Sequence, residues 1–111
     1  MRKIEKQMIE AIEARKSFSS GNTCVIQDEH NNAIVTLHGN VIAKIDYTTS
    51  LLFLYDGGWQ SNTTKSRLNA LLSMSSQSYR VFQEKWEWYV RVEKETYSYV
   101  EPFVNGYVAT L

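Results

Sequence analysis

The residues best suited to hold a ligand lie near the middle of the chain. The side-chain oxygen of Asn62, Thr63 or Thr64 can accept a hydrogen bond from the free amides at the start of a helix. Lys65 and Arg67 follow at once and place two positive charges by the positive end of that helix. Because free amides and cations together attract anions, this run predicts a phosphate-facing surface.

A second group of residues combines aromatic and basic side chains in the C-terminal part. Aromatic faces stack nucleic-acid bases at about 1–3 kcal/mol per base, while basic side chains hold the phosphates. Alternation along residues 86–92 predicts a strand with Trp86 and Trp88 on one face and Tyr89 and Arg91 on the other. Burial in the core is the favoured role of the two tryptophans, and base stacking at the surface is the alternative. The predicted nucleic-acid-binding residues are Thr63, Thr64, Lys65, Arg67, Asn69, Tyr89 and Arg91.

Residues that could carry out catalysis are sparse. His30 and His38 both fall in predicted turns, and neither belongs to a recognisable order of nucleophile, base and acid. Asp28, Glu29 and His30 are consecutive, and an extended strand cannot direct three consecutive side chains at one metal ion. No Walker-type loop, dinucleotide fingerprint or zinc spacing is present. We expect a non-enzymatic protein with no catalytic site, metal site or cofactor.

The elements that must position these groups begin with a helix and continue with strands. Ile4, Met8 and Ile12 recur at helical spacing and predict an amphipathic helix over residues 3–17. The pattern then changes to four short strands, separated by turn residues that include a Gly39-Asn40 hairpin. These strands are predicted over residues 23–28, 33–38, 41–46 and 51–55.

The second helix should pack through Leu68, Leu71 and Leu72, which leaves its basic and polar side in solvent. A hairpin of residues 79–83 and 86–92 follows, with its turn at Glu84-Lys85, and residues 102–108 form a short terminal edge strand. The predicted fold is α+β: an N-terminal helix, a four-stranded antiparallel meander, a second helix, and a C-terminal β-hairpin with a short terminal strand. Both helices lie on one sheet face, in a single domain over residues 1–111.

Composition supports a globular domain and limits its partners. The chain has 111 residues, of which 43% are hydrophobic and 22% charged, and its net charge is zero. Any site for a polyanion must therefore be a local patch, and residues 59–91 carry five Lys or Arg against two Asp or Glu. The lone Cys24 fits a reducing compartment. No signal-peptide pattern or apolar run of about 20 residues is present, so we expect a soluble, cytoplasmic protein without membrane contact.

Several short motifs are similar to those of small uncharacterised proteins encoded by tailed bacteriophages. The matching motifs are Arg15-Lys16 with Ser20-Gly21-Asn22-Thr23, Leu37-His38-Gly39-Asn40 with Ile42-Ala43, Gly58-Trp59-Gln60 with residues 63–71, Val81-Phe82-Gln83, Trp88-Tyr89-Val90 and Phe103-Val104-Asn105-Gly106. Together they cover most of the chain. The resemblance implies a phage-encoded protein that acts in the cytoplasm of the infected bacterium, and it implies nothing about catalysis.

The sequence leaves two functions open. The first is an accessory protein that binds DNA or RNA weakly through the basic helix start and nearby aromatic residues. The alternative is an interaction module that modulates a host protein or self-associates as a homodimer, because exposed Tyr, Trp and Arg are common interface anchors and free strand edges can pair between chains. Loss of nucleic-acid binding as salt rises would favour the first.

Overall fold

The computed structural model describes all residues from Met1 to Leu111 and contains two helices and nine strands. Helix α1 spans Lys3–Glu13 and helix α2 spans Asn62–Leu72. The strands are β1 (Phe18–Ser20), β2 (Thr23–Gln27), β3 (Asn32–Leu37), β4 (Asn40–Asp46), β5 (Leu51–Leu54), β6 (Ser78–Glu84), β7 (Glu87–Glu93), β8 (Ser98–Pro102) and β9 (Tyr107–Thr110). The predicted α+β class is confirmed.

All strand pairs are antiparallel, and they form two sheets. The larger sheet has six strands in the order β1-β2-β3-β4-β5-β9, and the smaller has three in the order β6-β7-β8. The predicted four-stranded meander corresponds to β2–β5. It is extended on one side by β1, which the polar Ser19-Ser20 did not reveal, and on the other by the terminal strand β9. The expected terminal edge strand is therefore present.

Alternation places one face of the larger sheet against the helices. Its inward side chains include Val25, Ala33, Val35, Ala43, Ile45, Leu52, Leu54 and Ala109. Both helices pack on this side, as predicted, and β6 and β7 contribute Val81, Trp88, Val90 and Val92 to the same core of 23 buried residues. Phe103 joins the two sheets, because its ring stacks on Tyr107 at 6.2 Å and meets Trp88 edge-on at 5.6 Å.

Both helices are anchored through apolar stripes. Met8 and Ile12 bury one side of α1, which ends at Glu13, earlier than predicted. Leu68, Leu71 and Leu72 are buried on α2, which confirms the periodicity argument for that helix. The cap of α2 is Ser61, whose hydroxyl accepts a hydrogen bond from the amide of Thr64, so the predicted cap was one to three residues too late.

The hairpin β6–β7 turns one residue later than the sequence suggested. Lys85 and Trp86 occupy the turn, both with positive φ (49° and 69°), and Glu84 pairs with Glu87. Trp86 is therefore a turn residue whose side chain is 89% exposed, and its predicted burial is wrong. Trp88 is buried as predicted. Tyr89 and Arg91 lie on the opposite face of β7, also as predicted.

Candidate nucleic-acid interface

Arg67 lies inside the protein and not on its surface. Its side chain is 3% exposed, and its Nη1 is 2.8 Å from a carboxylate oxygen of Glu5. Its Nε donates to the Thr23 hydroxyl at 3.1 Å, and its Nη2 donates to the Asn22 side-chain oxygen at 3.4 Å. The guanidinium thus links α2 to α1 and to the start of β2. The expectation that Arg67 is a solvent-facing cation is wrong.

Glu5 is as deeply buried as Arg67, at 2% exposure. Its carboxylate accepts the Ser66 hydroxyl at 2.6 Å and the Arg2 amide at 3.1 Å, besides the guanidinium. Burial alone would raise the pKa of Glu5, but these hydrogen bonds and the charge of Arg67 together hold that pKa below its usual range. The carboxylate is therefore ionised at neutral pH and neutralises the buried arginine.

One of the two predicted threonines at the helix start also forms hydrogen bonds within the chain. Thr64 is buried, and its hydroxyl lies 2.9 Å from that of Ser61 and 3.3 Å from the Trp59 carbonyl. Thr63 is half-buried and lines a separate cavity of about 400 Å³ beside the turn between β3 and β4. The predicted threonine-capped, cationic surface at the start of α2 is only partly present: Thr64 and Arg67 are bound within the chain, whereas Thr63 and Lys65 stay partly exposed.

Asn69 connects α2 to the edge of the smaller sheet. Its side-chain oxygen accepts the Val81 amide at 2.8 Å, and its side-chain nitrogen donates to the Val81 carbonyl at 3.0 Å. The side chain therefore pairs with β6 as a neighbouring strand would, and it satisfies two backbone groups of a buried residue. Contrary to the prediction, the amide of Asn69 is directed at β6 and not at solvent.

A cleft of about 590 Å³ lies between α2 and β6. Lys65 lies one helical turn before Asn69 and lines this cleft together with Arg80 and Phe82. The only ion pair of a lysine or arginine in the chain is Glu5–Arg67, so Lys65 and Arg80 have no carboxylate partner. Lys65 is thus the one predicted cation of this helix that remains at the surface, where it is half-buried.

The outer face of the smaller sheet continues from this cleft and combines aromatic and basic side chains. Phe82 and Tyr89 are directly opposite on β6 and β7, with their rings stacked at 5.8 Å and 29°. In the neighbouring pair Arg80 faces Arg91, whose guanidinium lies 5.8 Å from the centre of the Phe82 ring. Arg91 also lacks a carboxylate partner. Four side chains therefore form a compact aromatic and cationic surface, which we call the arginine–aromatic face.

The turn end of the same face is acidic. Glu84 and Glu87 are opposite each other, and the Tyr89 hydroxyl donates to a Glu87 carboxylate oxygen at 2.9 Å. This hydrogen bond and the charge of Glu87 raise the pKa of Tyr89. The positive part of the face thus begins at Tyr89 and extends away from the turn, toward Arg80 and Lys65.

Comparison with known proteins assigns the chain to a family. The family model described as Kyanoviridae Gp96 protein matches residues 1–110. The chain belongs to this phage protein family. Searches of the curated proteins and of the solved structures gave no significant match.

Membership of the Gp96 family confirms the resemblance to small phage proteins, and it supports a phage accessory protein. Neither helix is long and apolar enough to cross a membrane. No three side chains of His, Cys, Asp or Glu are grouped so that they could hold a metal ion.

Arg80 and Phe82 belong to the basic and aromatic residues of the C-terminal part, but the predicted binding residues did not include them. Both lie on β6, and their place opposite Arg91 and Tyr89 depends on the register of the hairpin. Because the turn is at Lys85-Trp86, Arg80 pairs with Arg91 and Phe82 pairs with Tyr89. The turn residues and the two arginines could be identified in the sequence. The position of the turn, which sets Arg80 opposite Arg91, could not.

Proposed function

We propose that this phage accessory protein binds single-stranded DNA or RNA weakly, in the cytoplasm of the infected bacterium, through the arginine–aromatic face. The observation that carries the proposal is the pairing of Arg80 with Arg91 beside the stacked Phe82 and Tyr89 rings. Like charges directly opposite each other on a sheet are destabilising. Two such arginines without carboxylates favour an anionic partner from outside the chain.

The geometry favours single strands over duplexes. Exposed aromatic rings on a sheet stack unpaired bases, whereas the bases of a duplex are already stacked on one another. Phe82 borders both the arginine–aromatic face and the cleft beside α2. A strand with bases on Phe82 and Tyr89 can therefore place neighbouring phosphates near Arg80, Arg91 and Lys65.

The charge of the protein favours weak binding. Its net charge is zero, so no long-range field concentrates nucleic acid around it. Only three unpaired cations adjoin the surface, and each phosphate contact adds to the salt sensitivity of binding. We therefore expect binding at low salt that decreases steeply as salt is added.

Fluorescence anisotropy with short labelled oligonucleotides tests this proposal. Single-stranded DNA or RNA should bind more tightly than the matching duplex. Phe82→Leu should weaken binding about 5- to 150-fold, the equivalent of one stacked base. Arg91→Gln should also weaken it, whereas the matched control Arg15→Gln removes the same charge at a position over Tyr47, outside the arginine–aromatic face, and should not. Equal affinities for wild type, Phe82→Leu and Arg91→Gln would refute the proposal.

A second candidate function is docking on a host protein, and the edge strand β8 favours it. Strand β8 pairs with β7 on one side only, so its other edge has free backbone groups. Tyr97 and Tyr99 stack on each other at 6.2 Å beside this edge, and both are exposed. An extended peptide of a partner could add to this edge and contact the tyrosines. Tyr97→Ser should then abolish capture of that partner without changing oligonucleotide binding.

A further inference from the structure

The face of the larger sheet that points away from the helices is unusually apolar. We call it the open face, and it contains Ser19, Cys24, Ile26, Asn32, Ile34, Thr36, Val41, Lys44, Asp46, Leu51, Phe53, Val108 and Thr110. An antiparallel sheet with one solvated face normally alternates apolar and polar residues. Here most of the outward positions are apolar as well. Ile26, Val41 and Val108 are among the most exposed large hydrophobic residues of the chain.

The apolar residues form a continuous row across five strands. Ile26 pairs with Ile34, which pairs with Lys44, and Lys44 pairs with Phe53, which pairs with Val108. The Lys44 ammonium lies over the Phe53 ring at 5.0 Å, so even the one charged member of the row lies against an apolar neighbour. A row of this kind matches another flat apolar surface better than it matches water.

The charges on the open face are self-complementary. Lys44 and Asp46 are the only charged residues in the six strands of the larger sheet, they lie on the same face of β4, and neither forms an ion pair within the chain. We consider a twofold axis that lies in the interface, runs perpendicular to the strands and passes between Lys44 and Asp46. This axis brings Lys44 of each copy opposite Asp46 of the other. The same axis brings Leu51 opposite Phe53, and it brings Ile34 opposite Asn32 and Val108 opposite Thr110, because these strands run in register with Lys44 and Asp46.

We propose that the open face is the interface of a symmetric dimer, with a second copy of this chain as its occupant. Six strands at about 4.8 Å spacing and about five residues of each strand at 3.3 Å give a footprint of about 24 by 17 Å. A footprint of about 400 Å² on each copy is below that of standard specific interfaces, so the dimer should be weak and should form only at high micromolar concentrations. The arginine–aromatic face belongs to the other sheet, and the proposal does not depend on nucleic-acid binding.

Sedimentation velocity across a concentration series tests the dimer. The wild type should change from monomer to dimer as concentration rises. Ile34→Lys, at the centre of the row, and Val108→Lys, which is 48% exposed and so should fold normally, should both remain monomeric. The matched control is Val104→Lys, which places the same charge at a 61% exposed position outside the strands and should dimerise as the wild type does. Circular dichroism confirms that each variant is folded.

A charge exchange tests the symmetry of the interface. Lys44→Glu and Asp46→Lys should each weaken self-association, because each sets like charges opposite each other. Mixed in equal amounts, the two variants should recover dimers at the wild-type concentration. A wild type that stays monomeric at every concentration would overturn the proposal. So would a dimer that persists in both Ile34→Lys and Val108→Lys, because it would have to use another surface such as the edge of β8.

Discussion

Replacing Glu5 with glutamine tests the buried ion pair between the two helices. The change preserves the shape of the side chain but removes its charge and one of its two acceptor oxygens. One oxygen of Glu5 accepts the Arg2 amide, and the other accepts both Ser66 and Arg67. Glutamine therefore leaves at least one of these donors without an acceptor, and it leaves the Arg67 guanidinium buried without a counter-charge.

Removing one partner of a buried ion pair costs about 3–5 kcal/mol. A domain of this kind has a total stability of about 5–15 kcal/mol, so Glu5→Gln should remove about a fifth of it or more. With a urea m-value of about 2 kcal/mol/M, the unfolding midpoint should fall by about 1.5–2.5 M. Far-UV circular dichroism during urea titration measures this shift.

Two further variants separate the ion pair from the general effect of a substitution in α1. Glu10→Gln makes the same change at an exposed position of the same helix and should alter stability by less than about 0.5 kcal/mol. Glu5→Leu combined with Arg67→Met removes both charges and should recover most of the loss, because well-packed apolar residues can replace a buried pair. A Glu5→Gln midpoint within error of the wild type, or a double variant as unstable as the sum of the single changes, would contradict this reasoning.

Three further predictions follow from the same contacts. The folded-state pKa of Glu5 is lowered, so the stability that its carboxylate contributes is complete above the unfolded pKa of about 4.3. This contribution is lost as pH falls through the folded-state pKa. The urea midpoints of wild type and Glu5→Gln should therefore converge in acid. Asn69→Ala should cost about 1–3 kcal/mol for each Val81 backbone group left unpaired, and should speed hydrogen exchange of the Val81 amide; unchanged exchange would show that the contact is not formed in solution. Changing Lys85-Trp86 to Asn-Gly should stabilise the hairpin by about 1 kcal/mol, because both residues have positive φ, and a lower melting temperature would contradict the assigned turn.

Prediction from the sequence was most accurate for elements whose buried face follows one regular hydrophobic period. The leucines of α2 and the alternation in β3 correctly assigned the buried faces, because each pattern is local and needs no partner. In β4 the alternation correctly placed Ala43 and Ile45 inward, but it placed Val41 inward too. A β-bulge opposite Val35 and Thr36 turns Val41 outward and buries Ile42 instead. The same reasoning could have found Arg67. Thr64, Arg67, Leu68 and Leu71 have the i, i+3, i+4 and i+7 spacing of a buried stripe, as do Glu5, Met8 and Ile12 on α1. Opposite charges on two inward stripes are a signal for a buried pair, although only the structure shows that they meet.

The arginine–aromatic face could not be predicted because it depends on pairing and not on period. A shift of one residue in the hairpin turn changes which residues of β6 lie opposite Tyr89 and Arg91. The third strand, β8, was also missed, because its polar and aromatic sequence has no buried residue to mark an alternation. Its position is set by pairing with β7.

The salt dependence of oligonucleotide binding decides whether the phosphate contacts lie on the smaller sheet or at the start of α2. For a single strand, each lost phosphate contact lowers the slope of log K against log salt by about 0.7, so Arg80→Gln with Arg91→Gln should lower it by about 1.4. Glu5→Leu with Arg67→Met, which removes the helix arginine without leaving a buried charge, should keep the wild-type slope. Two results would contradict a nucleic-acid site on this sheet. One is an unchanged slope for Arg80→Gln with Arg91→Gln together with a reduced slope for Glu5→Leu with Arg67→Met. The other is no binding by the wild type at low salt.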